Sequence, residues 1–158
     1  MLVKTFAAAV QGISATIITI EVNCSKGIQF FLVGLPDVAV RESHERIISA
    51  LQESGYKFPR SRIVINMAPA DIRKEGSAYD LPLAIGILAG AEMISSEKLS
   101  QYMLMGELSL DGTLKPIKGV YPLRLKPEKP DSKDSSYRSK MPGKPLLSIS
   151  WRYMVSQT

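Results

Sequence analysis

Two hydrophobic periods alternate along this chain, and each change of period marks an element. A run of apolar residues from Val3 leads to Gly12, and Thr16, Ile18, Ile20 and Val22 then repeat at every second position up to Cys24. A further apolar run, Ile28 to Val33, follows the turn Ser25-Lys26-Gly27. Period-two patterning broken by glycine turns predicts three strands, joined most simply as an N-terminal meander. Gly34-Leu35-Pro36-Asp37 breaks the third strand, and Asp37 is placed to cap a helix from Val38 to about Ser54. The stripe of that helix is Val40, Ile47, Ile48 and Leu51, with Arg41, Glu42, Glu45, Arg46 and Glu53 mostly outside it. Gly55 follows as a C′ residue.

The stretch from Arg62 to Leu88 organises the rest. It reads as a buried strand (Ile63, Val64, Ile65), a break at Ala68-Pro69-Ala70-Asp71, and a charged loop, Arg73-Lys74-Glu75-Gly76-Ser77. A helix starts near Asp80, a candidate N-cap, with Pro82 in its first turn. Leu81, Leu83, Ala84, Ile87, Leu88 and Ala91 cover most of its surface, so it is expected at the centre of the core. Ser95-Ser96-Glu97 begins a short turn. Tyr102 to Leu108 and Thr113 to Ile117 then form a hairpin across Asp111-Gly112.

After Leu123 the periodicity stops. Residues 124–158 are rich in Lys, Pro and Ser and are expected to be disordered, with LLSISWRYMVSQT as a candidate strand that has no obvious partner. This divides the chain into a folded unit, 1–123, and a tail, 124–158. The net charge of +5 divides the same way: residues 1–123 hold 12 basic and 12 acidic residues, and the tail holds 8 and 3. The high pI therefore says little about the partners of the folded part.

At 158 residues and 45% hydrophobic content, one core is expected. With no leading apolar run flanked by basic residues, the expected location is cytoplasmic, without membrane contact. The single Cys24 excludes an internal disulfide, and with His44 as the one histidine a conventional zinc site lacks ligands. Cys24 reads as a strand residue and His44 as a structural one. The chain contains no Walker phosphate loop, G-x-G-x-x-G fingerprint or G-x-S-x-G elbow. Asp71, Glu75 and Asp80 surround the central loop and are expected to cap turns and pair with Arg73 and Lys74. Lys57, Arg60 and Arg62 lie close together in the connector before the strand.

INMAPADIRKEGSAYDLPLAIGILA, with FFLVGLPDVAVRESHERIISAL and MGELSLDGTLKPIKGV, closely resembles the N-terminal domain of ComM/YifB-type proteins. These are magnesium-chelatase-like, ChlI-type bacterial AAA+ ATPases. The resemblance covers residues 1–123. It implies an α+β fold, a mixed sheet with helices packed on it, of the ribosomal protein S5 domain 2-like class shared with the Lon proteolytic domain. Lon-type proteases place a serine nucleophile in a K-D-G-P-S-A-G loop. On that loop Lys74, Glu75 and Gly76 match, Ser77 takes the proline place and Ala78 the nucleophile place. The dyad lysine falls at or near Tyr121, with Lys118 close by. The implied reading is a protease fold without the protease, against an alternative displaced Ser77–Lys118 dyad.

In the family a Walker-bearing module follows this domain, so ATP and Mg2+ are expected only there and no cofactor is expected in this chain. The resemblance implies an accessory role in a hexameric motor that acts on DNA during natural transformation. Arg60, Arg62, Arg73 and Lys74 are the candidate DNA contacts. A free-standing DNA-binding module is a further alternative. Past Leu123 the family pattern is lost, yet back-translation of the tail in a shifted frame yields AIKARKAGFKG and its continuation. Loss of one nucleotide in the Leu123 codon is the expectation drawn from this, leaving the domain without its last elements.

Overall fold

A computed structural model describes residues 1–11, 14–115 and 117. The boundary expected at Leu123, the tail, Lys118 and Tyr121 lie outside the described residues. Among the described residues six strands and two helices follow one another as β1 (Leu2–Gln11), β2 (Ser14–Ser25), β3 (Phe30–Val33), α1 (Val38–Glu53), β4 (Arg62–Ala68), α2 (Asp80–Gly90), β5 (Glu107–Leu108) and β6 (Leu114–Lys115). Short 3₁₀ turns occupy Ser77–Tyr79 and Leu99–Gln101. The α+β class expected from the sequence holds.

The main sheet runs in the order β1-β2-β4-β3. β1 pairs with β2 along its whole length, Val3 opposite Val22 and Ala7 opposite Ile18. β4 then pairs antiparallel with β2 and parallel with β3. The expected meander is thus wrong at its third strand. From β3 the chain crosses over through α1 and returns as β4 parallel to β3, a β-α-β unit, because a parallel pair needs a crossover connection. A meander and this arrangement have the same period-two pattern, so only tertiary pairing separates them.

Alternation decides which face is covered. Val3, Ala7, Ile18, Ile20, Val22, Ile63, Ile65 and Met67 are buried on the face that carries both helices. All eleven residues of α2 are buried, as an apolar surface on every side requires. Its approach to β2 depends on Gly86, where an added Cβ would come within 2.7 Å of Val22 Cγ2. The opposite face mixes exposed Leu2, Val10 and Ile17 with Lys4 and Glu21, which pair at 3.1 Å.

Asp37 caps α1 as expected, accepting from the Val40 amide at 2.8 Å. Gly55 has φ +79 after the last turn, the C′ conformation foreseen for it. Asp80 is not an N-cap. It is the first residue of α2 proper, following a 3₁₀ turn, and its side chain makes no capping bond. The hairpin across Asp111-Gly112 exists but shrinks to Glu107–Leu108 against Leu114–Lys115. Before it, Leu104 N donates to Phe6 O at 2.7 Å, so that segment follows β1 rather than extending the hairpin. Among the described residues no helix is long and apolar enough to cross a membrane.

Candidate functional site

β3 and β4 run parallel, so the loops leaving their carboxyl ends, 34–37 and 69–76, emerge side by side. They are joined as one unit. Lys74 N donates to Leu35 O at 3.3 Å, Asp37 N to Lys74 O at 3.0 Å, and Gly76 N to Asp37 Oδ2 at 3.2 Å. One carboxylate therefore caps α1 and holds the charged loop.

Lys74 closes the unit from inside. Its side chain is fully buried, and Nζ donates to Gly34 O at 2.7 Å and to Pro69 O. Burial pushes the ammonium below the usual lysine value, with Asp71 acting in the opposite direction. A long cationic side chain sealed over two backbone carbonyls satisfies groups that the loops would otherwise leave unpaired. It presents no charge to a partner at the surface. As a candidate DNA contact, Lys74 is corrected to an internal strut.

Ser77 follows. Its Oγ donates to Glu107 Oε2 at 2.5 Å, and this bond is the first cause of a Glu107 carboxyl held below the ordinary value. Lys115 Nζ lies 3.5 Å from the same carboxylate. Ala78, at the nucleophile place of the Lon comparison, contributes its carbonyl to Gly106 N at 2.8 Å. A serine activated for attack needs a base that takes its proton. Among the described residues the partner of Ser77 is an ionised carboxylate already paired with a lysine. Lys118 of the alternative dyad lies outside the described residues.

Behind the loop sits a polar cluster. Asp80, fully buried, accepts from Ser43 Oγ at 2.5 Å, from Arg46 Nε at 2.8 Å and Nη2 at 2.9 Å, and from Leu108 N at 3.1 Å. The Asp80 carboxylate is the main reason the Arg46 guanidinium is raised above its usual value. Asp80 was expected to pair with Arg73 or Lys74, and Arg46 to sit mostly outside the buried stripe. Both expectations fail for one reason: Ser43 and Arg46, three residues apart, lie on the side of α1 that meets α2. The polar Ser43 in line with Val40 and Ile47 was the available signal. Asp71 and Glu75 behave closer to expectation, the first facing Lys74 electrostatically and the second pairing with Arg73 at 3.2 Å.

The remaining candidates are not one patch. Arg60 and Arg62 stand at the start of β4, and Arg73 lies beyond its end. The seven residues of β4 separate the two ends by roughly 20 Å. All three are exposed. The Arg62 guanidinium lies 5.3 Å from the Phe31 ring centroid, a cation–π contact.

A pocket of about 280 Å³ opens near Arg60, lined by Ile28, Phe30, His44, Ile48, Phe58 and Arg60 among others. The His44 ring stacks on Phe30 at 4.1 Å and meets Phe58 edge-on at 5.6 Å, the structural part foreseen for it. Cys24, on β2, is half-buried, and burial pushes its thiol up. Among the described residues no group of His, Cys, Asp or Glu is arranged to hold a metal ion.

Comparison with known proteins gives a consistent result. Residues 20–134 match the family of subunit ChlI of Mg-chelatase. The uncharacterized protein YifB of Escherichia coli K12 is 47% identical over 113 residues, 71% of this chain and 22% of its own length. Competence protein ComM of Haemophilus influenzae is 43% identical over 125 residues, 78% of this chain and 25% of its own. An uncharacterized protein of Mycobacterium bovis is 38% identical over 123 residues, 77% of this chain and 24% of its own. The chain thus spans about a quarter of the length of these relatives. On these matches the chain belongs to the family of subunit ChlI of Mg-chelatase, with YifB and ComM proteins among its relatives.

Proposed function

We propose that this chain is a non-catalytic accessory domain of a ComM-like protein, with a part in assembly and in guiding DNA to a motor. The observation that carries the reading is the state of the 69–78 loop. Lys74 is buried against backbone carbonyls, Ser77 is bound to Glu107, and Ala78 stands where a Lon-type nucleophile would be. Lys74 and Ser77 both serve to hold the loop in place. ATP and Mg2+ belong, in this reading, to the further length of the relatives, and oligomerisation to the assembled protein.

DNA contact falls to Arg60, Arg62 and Arg73, the exposed candidates. Deleting the matched segment from the Haemophilus ComM relative tests the role. ATP hydrolysis by the remainder should persist while transformation frequency drops. Unchanged transformation without the segment would exclude an accessory part for it.

A further inference from the structure

We propose that the cleft at the start of β3 docks an extended peptide, whose apolar C-terminal residue enters the pocket and whose carboxylate meets Arg60. Three independent features meet there. First, β3 is the last strand of the order β1-β2-β4-β3, so among the described residues its outer edge has no strand beside it. Phe31 and Val33 stand 42% and 48% exposed along that edge strand, and neither Lys nor Pro interrupts it. Natural edges are usually blunted by such residues, and an unblunted edge accepts an added strand.

Second, the pleat sets the direction of an added strand's side chains. Phe30 and Leu32 point toward the helix-covered core. A strand laid beside β3 repeats that alternation, so its alternate side chains point toward α1. The pocket lies there, between Phe30, His44 and Ile48, with Phe58 and Ile63 as further walls. Gln29, Arg60 and Ser61 interrupt these apolar walls, and the volume of about 280 Å³ has room for one apolar side chain beside a polar group.

Third, the charge is complementary. Arg60 lines the pocket, is exposed, and has no ion-pair partner among the described residues. Lys57, three residues before it, is likewise exposed. Glu45, beside the pocket residue His44 on α1, is turned to His44 Nδ1 at 3.3 Å. A free guanidinium beside an apolar pocket at the end of an open strand edge is a receptor for a terminal carboxylate. Arg60 also stands among the DNA contacts proposed above, and the two readings compete for it, which the test separates.

The test is fluorescence polarisation on the full chain. The probe is a fluorescein-labelled hexapeptide of alternating threonine and valine that ends in leucine with a free carboxylate. Binding in the micromolar range is expected, weaker by about tenfold for the C-terminal amide. Arg60→Gln should bring the acid down to the affinity of the amide and leave the amide unchanged. Ile28→Asp, at a position 87% exposed and so harmless to folding, should weaken both. Three outcomes would overturn the proposal: no binding at millimolar peptide, equal affinity of acid and amide, or displacement of the peptide by a single-stranded thymidine oligonucleotide that binds more tightly.

Discussion

Arg46 and Asp80 form a two-pronged ion pair between α1 and α2, Nε to Oδ2 at 2.8 Å and Nη2 to Oδ1 at 2.9 Å, with the carboxylate completely shielded from water. The pair ties the crossover helix to the central helix directly behind the charged loop. Arg46→Ala strands a buried carboxylate with Ser43 and the Leu108 amide as its remaining partners. The expected cost is about 3–5 kcal/mol. A urea unfolding midpoint checks it, and a loss below ~1 kcal/mol would show that the cluster relaxes freely.

Lys74→Met keeps an unbranched apolar stem and removes the donor shared by Gly34 O and Pro69 O. Two partly buried carbonyls then lose a charged partner, at about 1–3 kcal/mol. Amide exchange of Gly76 and Asp37, which belong to the same joined loops, should accelerate with it. Any DNA affinity of the chain should be unchanged once unfolding is allowed for, because this cation faces inward.

Tyr79 gives the fold an alkaline limit. Burial, then the charges of Asp37 and Glu75, push its phenol up from 10 to about 12. The folded state thus holds this proton more tightly than the unfolded chain. The stabilisation is complete below pH 10 and is lost as pH rises toward 12. Lys74, lowered by burial, acts with the opposite sign over part of that range, so the comparison must be with Tyr79→Phe. That variant loses the bond to Ala8 O, about 1 kcal/mol at neutral pH, and shows a smaller decline between pH 10 and 12.

Ser61 carries a buried hydroxyl oxygen that makes no hydrogen bond of normal geometry, its close neighbour being the weakly polar Cys24 thiol. Ser61→Ala should therefore leave stability unchanged within ~0.5 kcal/mol or raise it by about 1 kcal/mol. A loss of 1 kcal/mol or more by chemical denaturation would reveal a partner for this oxygen.

The elements whose pattern has a single reading were legible before the structure. α2, apolar on all sides, reads as a central helix because nothing else buries such a surface. The Asp37 cap and the Gly55 stop were readable because a capping carboxylate and a glycine's left-handed backbone both act within a few residues. What failed depends on contacts distant in sequence. The place of β3 beside β4 is decided by pairing 33 residues apart, as between Phe30 and Ile63. The inward turn of Lys74 depends on Gly34, 40 residues earlier, and the partnership of Asp80 on Ser43 and Arg46, 37 and 34 residues away. A basic residue in a charged loop looks the same in sequence whether its ammonium meets water or a carbonyl.

The central claim is that the 69–78 loop is structural and Ser77 is not a nucleophile. Intact-mass analysis of the chain after treatment with a fluorophosphonate, across pH 6 to 9, tests it most directly. The account predicts no adduct at Ser77 and no cleavage of an unstructured protein substrate, because the hydroxyl is held by Glu107. A stoichiometric adduct at Ser77, abolished in Ser77→Ala together with peptide cleavage, would contradict it.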